Sequence, residues 1–370
     1  MAETNSRNAR EPKLTETLIK DVRHSDFRRT LRRDYNELKE FYLDKERKAR
    51  LKNMGRLKRG FWMGWWLLKS LFFKLTPVRR ILLVISCWLM IQSGTCSYYG
   101  KNFRFENDTS KIGFVVLLFV LMLELKDKLT AQSELEAGRS VQRALMPERN
   151  PKVPGWELWL MTRPANEVGG DFVDFLEIDK NCFGVALGDV AGKGLKAALL
   201  MVKLQATLRA LAADFTSLAE LGTKLNAILR RDGLSDSFAS MVYLELQSDS
   251  GMIRLLNAGH MPPLVLRDGT IQETSHGAVA IGMMSEARFT EQQIELRPGD
   301  TLLIYSDGLT DAVDDAGNFW GEQRLLTFLP SVAGLSARQL GERLVATVDQ
   351  FVGEARAHDD LSLIVLKRMG

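Results

Sequence analysis

Cysteine is scarce in this chain. Cys87, Cys96 and Cys182 are its only three, and none stands in the paired spacing of a zinc site. They read as small buried hydrophobes, and nothing about them requires an oxidising compartment. Charge is missing from Ile81 to Gly100, and proline is missing from Lys126 to Met146. Two nucleotide-binding signatures are missing as well. The stretch Gly188-Asp189-Val190-Ala191-Gly192-Lys193-Gly194 lacks the Gly-Lys-Ser/Thr ending of a Walker A loop. No ribose-binding acid stands at a suitable distance beyond a strand-helix-strand unit, which excludes a Rossmann reading.

The small net charge of +4 hides an asymmetry. Residues 1–80 hold 22 Lys/Arg against 10 Asp/Glu, and the remainder holds 28 against 36. The acidic remainder is a poor surface for nucleic acid, so no nucleic-acid partner is expected. The basic N-terminal part leads into a very apolar stretch, which points it to an anionic membrane surface.

The uncharged run Ile81–Gly100 has the length of a membrane span, about 20 residues. A shorter run, Ile112–Leu123, reaches that length only with Glu124 and Leu125 at the far interface. Two transmembrane helices over 77–125, joined by a short outer loop, are therefore expected. Arg79 and Arg80 flank the first and Lys126 and Lys128 the second, which puts both chain ends on the cytoplasmic side of the inner membrane. About 80 residues before the first span argue against a signal peptide. Residues 61–76, rich in Trp and Lys, suit an interfacial helix. Residues 1–60 read as a basic helical arm with one apolar stripe.

Residues 126–146 read as one helix connecting this region to the C-terminal part of the chain. Leu125, Leu129, Leu135 and Leu145 are too sparse for a strong coiled coil. A passive spacer and a dimeric signalling helix, forming a homodimer, both remain open.

From Pro147 to Gly370 the pattern changes to alternating apolar strands and paired helices. Strands are expected at Trp156–Met161, Asp171–Ile178, Cys182–Leu187, Phe238–Gln247, Met252–Ala258, Pro263–Arg267, Gln293–Leu296, Thr301–Tyr305 and Leu361–Leu366. Helices are expected at about Leu195–Ala213, Leu218–Arg231, Gly321–Leu329 and Ala337–Phe351. Hairpin strands with helices inserted as pairs predict an α+β domain of antiparallel sheets flanked by helices.

Acidic residues recur beside glycines where these strands stop: Asp171 after Gly169-Gly170, Asp189 after Gly188, Asp307 before Gly308, and Asp359-Asp360 before Leu361. Any one Asp-Gly pair is an ordinary turn. As a set they are carboxylates brought together from strand ends, and together they would repel and raise one another's pKa. Two hard cations such as Mn²⁺ or Mg²⁺ would neutralise them and activate a water.

Six ordered segments carry a resemblance: Leu145-Met146-Pro147, Pro164-Ala165-Asn166-Glu167-Val168-Gly169-Gly170-Asp171-Phe172, Gly188–Gly194, Asn257-Ala258-Gly259-His260, Ser306-Asp307-Gly308-Leu309-Thr310-Asp311-Ala312 and Asp359-Asp360-Leu361-Ser362. Over about residues 140–370 the chain resembles the SpoIIE/RsbU branch of the PPM metal-dependent protein phosphatases. The resemblance implies an α/β/β/α sandwich with a two-metal Mn²⁺ or Mg²⁺ centre. It implies that Asp189 bridges both metals, that Val190 offers its backbone carbonyl, and that Asp307 and Asp359 complete the second metal. Asp171 would hold metal-bound waters, and Asp360 is the alternative ligand to Asp359. Eukaryotic-type members hold phosphate with an Arg near the position of Asn166; Arg163 lies further upstream, so the phosphate contact is unassigned. His260 is open to two roles, an acid for the leaving oxygen or a structural group, and Lys193 reads as a solvated loop lysine within reach of an anion.

The function this implies is a membrane-anchored protein serine/threonine phosphatase. Its expected substrate is a phosphorylated anti-sigma-factor antagonist of the STAS type. An inactive phosphatase-like scaffold and another two-metal phosphohydrolase, such as a nuclease, are the alternatives.

Overall fold

The computed structural model describes residues 50, 54–92, 94–97, 104–107, 109–232, 237–248 and 250–370. The expected basic arm, residues 1–60, lies mostly outside the described residues. The chain divides into two compact units, residues 1–128 and 129–370.

The first unit holds helices α1 (Arg56–Lys74) and α2 (Pro77–Ile91), a hairpin of β1 (Gly94–Ser97) and β2 (Arg104–Asn107), and the start of α3 (Ser110–Ala144). Helices α2 and α3 meet at Gly113, where a Cβ would press against the Ser86 carbonyl. There the Ser86 hydroxyl donates to the Gly113 carbonyl at 2.8 Å. Arg79 bonds Glu124 at 2.6 Å and Asp127 at 2.7 Å.

The structure does not support the two expected spans. No helix among the described residues is long and apolar enough to cross a membrane. Helix α2 ends at Ile91, a length of about 22 Å against the roughly 30 Å of a hydrocarbon core. The chain then enters β1 where the first span was to continue. In α3 a stretch of spanning length takes in Lys111, Glu124, Lys126 and Asp127. Large apolar side chains nonetheless stand exposed on all three helices, among them Phe61, Trp65, Leu68, Trp88, Phe114 and Leu121.

The second unit is built on two antiparallel sheets. The strands of one are Lys152–Val153 (β3), Trp156–Arg163 (β4), Leu264–Arg267 (β9), Thr270–Glu273 (β10), Thr301–Tyr305 (β12) and Leu361–Arg368 (β13). They lie in the order β10-β9-β12-β13-β4-β3. The other sheet comprises Phe172–Glu177 (β5), Cys182–Val190 (β6), Ala239–Gln247 (β7), Met252–Ala258 (β8) and Glu291–Glu295 (β11), in the order β11-β8-β7-β6-β5. Helices α4 (Leu195–Leu211) and α5 (Leu218–Asp232) cover the outer face of the second sheet. The outer face of the first is covered by α7 (Glu322–Phe328) and α8 (Ala337–Val352), after a single turn α6 (Asp307–Thr310).

Successive side chains of a strand point to opposite faces. Leu302 and Ile304 of β12 enter the core between the sheets, while Leu303 and Tyr305 pack under the helices. Val185 and Leu187 of β6 face inward and Ala186 and Val190 outward. Burial on both faces is why these strands read as continuous apolar runs. Helix α8 starts at a capping box in which Ser336 and Gln339 satisfy each other's backbone N–H. The result is a four-layer α/β/β/α sandwich.

Candidate active site

At one end of the sandwich the inner layer changes from apolar to polar. The alternation that buries Leu158 and Leu160 in β4 reaches Thr162 next. By the same step of two, Val185 and Leu187 lead to Asp189, Val242 leads back to Ser240, and Val173 leads back to Asp171. Ile253 and Leu255 lead to Asn257, Leu302 and Ile304 to Ser306, and Ile364 back to Ser362. The two sheets thus present one shared polar layer at their mouth.

The loop before β5 is held into this layer by Asp360. Its carboxylate accepts the backbone N–H of Ala165 at 2.7 Å, of Gly170 at 2.6 Å and of Asp171 at 3.3 Å. A Cβ at Gly169 would run into the Asp360 carboxylate, and one at Gly170 would lie 3.1 Å from the Val190 carbonyl oxygen. Close approach therefore requires Gly169 and leaves little room at Gly170. Ser306 links the same corner, donating to the Asp360 carbonyl at 3.1 Å and accepting the Ser362 N–H at 2.9 Å.

Four carboxyls gather around this corner and are felt by one another. Asp171, only 4% exposed, is pushed well above the usual carboxylate range by burial and then by the charge of Asp189. Its Oδ2 is buried without a hydrogen-bond partner. Burial also raises Asp189, with the charges of Asp359 and Asp360 adding to it and Lys193 and a hydrogen bond from Asp171 opposing it. Asp307 is pushed up to about 6 by partial desolvation and by Asp189, Asp359 and Asp311. Asp359 is paired with a cation: Lys193 Nζ donates to its Oδ2 and to the His358 carbonyl, each at 2.9 Å.

The donor set fits a hard divalent cation in kind. It is all oxygen, it carries mutually repelling negative charge, and it includes an orphaned buried carboxylate oxygen on Asp171. As they stand, no three His, Cys, Asp or Glu side chains among the described residues are gathered tightly enough to hold a metal ion. Asp360 departs from the expectation of a ligand, because its carboxylate is taken up by backbone amides.

Arg163 pairs with Asp349 through two hydrogen bonds at 2.5 and 3.0 Å and is not free for phosphate. Asn166 accepts from Arg356 at 3.0 Å, which brings an arginine to the loop that lacks one in sequence. His260 is 8% exposed, and both ring nitrogens are engaged, Nδ1 with the Ser240 hydroxyl at 2.7 Å and Nε2 with the Tyr305 carbonyl at 3.0 Å. It has no nitrogen to offer a leaving oxygen.

Sequence reasoning missed the connector's grip on this corner. Near the end of α3 the Gln142 side chain donates to the Gly169 carbonyl at 2.9 Å and accepts the Gly169 N–H at 3.2 Å. The Leu145 carbonyl accepts from Arg209 at 3.0 Å and Gln205 at 3.2 Å, both on α4. Arg209 also grips the fully buried Asp174 at 2.6 and 2.7 Å.

Residues 179–369 match the family of stage II sporulation protein E, SpoIIE. The chain belongs to the SpoIIE family. It is 24% identical over 239 residues to phosphoserine phosphatase RsbU of Bacillus subtilis, covering 64% of this chain and 70% of that protein. It is 27% identical over 311 residues to protein IcfG of Synechocystis sp., covering 73% of this chain. That match spans about half of the relative, 48% of its length. The SiaA-PP2C domain of Pseudomonas aeruginosa shares the fold, with a TM-score of 0.57 at 21% identity over 66% of this chain and 99% of that one. The α+β sandwich of antiparallel sheets is thus the PP2C-like phosphatase fold, as SpoIIE-family membership and the RsbU relationship lead one to expect.

Proposed function

We propose that this protein is a serine/threonine phosphatase of partner-switching signalling, hydrolysing phosphoserine or phosphothreonine on a STAS-type anti-sigma-factor antagonist. The carrying observation is the convergence of Asp171, Asp189, Asp307 and Asp359, from four separate chain segments, on one polar mouth, where burial and neighbouring carboxylate charge raise the pKa of Asp171, Asp189 and Asp307. The likeness to a phosphoserine phosphatase supports the substrate class.

In this reading Asp189, the Val190 carbonyl, Asp307 and Asp359 would hold two Mn²⁺ or Mg²⁺ ions, and Asp171 would hold water. When bound, such ions supply an activated water and neutralise charge developing on phosphoryl oxygens. The chain's own contribution is positional. Asp360 fixes the Ala165–Asp171 loop, the glycine pair lets that loop approach Val190, and Lys193 neutralises Asp359 at 2.9 Å. The fully buried hydroxyls of Ser306 and Ser362 lie behind Asp171.

One observation favours a second reading, an inactive phosphatase-like scaffold: the carboxylates are not assembled into a metal-binding group, and Lys193 occupies Asp359. Phosphate release from a phosphoserine STAS-type protein by the full chain separates the two. Mn²⁺-dependent release that disappears in Asp189→Ala supports the enzyme; no release and no Mn²⁺ binding supports the scaffold.

Attachment at the inner face of the membrane belongs to the same proposal. It is supported by the exposed apolar side chains of α1, α2 and α3 beside the basic charge of residues 1–80. The connector, alone or as a homodimer, would then pass a signal to the Gly169 loop through Gln142. Recovery of the full chain in the soluble fraction after gentle lysis would refute the attachment.

A further inference from the structure

His260 joins the two sheets at the mouth where the carboxylates repel. Its partners sit in informative places. Ser240 on β7 lies directly across from Asp189 on β6, and directly opposed residues of an antiparallel pair share a face. Tyr305, whose carbonyl faces Nε2, ends β12 two residues before Asp307. His260 itself is pinned by Asn257 at the end of β8, which accepts its N–H at 2.9 Å and donates to its carbonyl at 3.1 Å. Gly259 makes this turn possible: its φ is +73°, and a Cβ there would collide with the Ala280 backbone.

The hydrogen-bond chemistry fixes the tautomer. A carbonyl only accepts, so Nε2 carries the proton and donates to Tyr305. Burial without a neighbouring carboxylate lowers the ring's pKa to about 4, so Nδ1 is bare and accepts the Ser240 O–H. The path Ser240–His260–Tyr305 is then a neutral cross-tie between sheets. Its setting gives it work beyond packing: the apolar inter-sheet core has given way to polar groups, and charge on Asp189 of one sheet and Asp307 of the other pushes the strand ends apart.

We infer that His260 is a positioning residue that sets the spacing of the Asp189 and Asp307 strand ends, and through it the affinity of the site for divalent cations. This inference rests on the phosphatase reading of the site, and in it His260 touches no substrate.

The test is Mn²⁺ affinity of the full chain by titration calorimetry, at a temperature where circular dichroism shows each variant folded. His260→Ala should weaken binding about 10- to 100-fold, the range seen when groups behind a metal ligand are removed. Ser240→Ala, which leaves the ring and its Tyr305 bond, should weaken it about tenfold and keeps the test usable if His260→Ala fails to fold. His260→Gln, whose amide can still donate to Tyr305, should recover part of the loss. Gly341→Ala, which crowds Trp159 under α8 far from the mouth, should lower the melting temperature and leave Mn²⁺ affinity alone. Wild-type affinity, within about twofold, in both Ser240→Ala and His260→Gln would overturn the inference while leaving the phosphatase reading intact. Absence of Mn²⁺ binding in the wild type would overturn both.

Discussion

The Gln142 side chain and the Gly169 peptide hydrogen-bond each other in both directions, at 2.9 and 3.2 Å, in a buried setting. Gln142 belongs to the connector helix and Gly169 to the loop whose other face is held by Asp360. Gln142→Ala would leave both the N–H and the carbonyl of Gly169 without a partner. The expected cost is about 1–3 kcal/mol per orphaned group, and phosphate release should fall with it. Arg139→Ala removes a neighbouring, half-exposed pair with Glu167 and should cost less than about 1 kcal/mol. Thermal melts and phosphate release on the two variants check the contrast; equal effects would deny Gln142 its special place.

Asp359 and Asp360 should part company on substitution. Asp360→Asn keeps one acceptor oxygen for three backbone N–H groups and sets an NH₂ against the rest, so it should destabilise by about 2–3 kcal/mol. Asp359→Asn removes a charge from a repelling cluster and loses only an exposed pair with Lys193, so its melting temperature should change little. Mn²⁺ binding should be lost in Asp359→Asn even though the protein is folded. A melting curve and a Mn²⁺ titration on each variant decide it.

Mn²⁺ should stabilise the protein, because it binds only where the carboxylates are gathered. At about a hundred times its dissociation constant the gain is about 2.7 kcal/mol. For a unit of this size that is a rise of roughly 5–10 °C in melting temperature. The rise should vanish in Asp189→Asn. A rise that persists there would place the cations elsewhere.

His260 gives stability a pH dependence of definite sign. Folding lowers its pKa from 6.5 to about 4, so the unfolded chain binds more protons between those values. Its contribution is complete above about pH 6.5 and is lost as the pH falls toward 4, on the order of 3 kcal/mol in all. Asp307, raised from 3.8 to about 6, works the other way, its repulsion easing as the pH falls. Denaturant unfolding of wild type and His260→Gln from about pH 7 to about pH 4.5 isolates the histidine. The wild type should lose more stability over that interval than the variant, and parallel curves would contradict the buried neutral ring.

Much of the sandwich was legible in sequence. Strands buried on both faces had to be apolar throughout, so β6, β12 and β13 announced themselves, and the acidic-glycine pairs marked where they end. The short edge strands β3 and β10 were not legible, because two to four half-exposed residues carry no periodic signal. The membrane expectation came from hydropathy counted along the chain. The break after Ile91 and the charges of α3 leave its two spans unsupported. A further signal was present but needs the fold to be read: Thr162, Asp171, Asp189, Ser240, Asn257, Ser306 and Ser362 each continue a period-two apolar row by one step. Only when the strands are aligned do these residues become a single layer.

Chemical competence is written along the chain. Carboxylates, glycines and apolar rows are properties of composition and spacing, and they name the residues able to act. Their division of labour comes from folding. Asp359 and Asp360 are adjacent and chemically identical, yet one meets Lys193 and the other three backbone amides. His260 reads as acid or scaffold until Ser240 and the Tyr305 carbonyl close on its two nitrogens. Local sequence cannot separate such cases, because a side chain's role depends on which donors and charges the other sheet brings to it, and those come from residues far away in the chain.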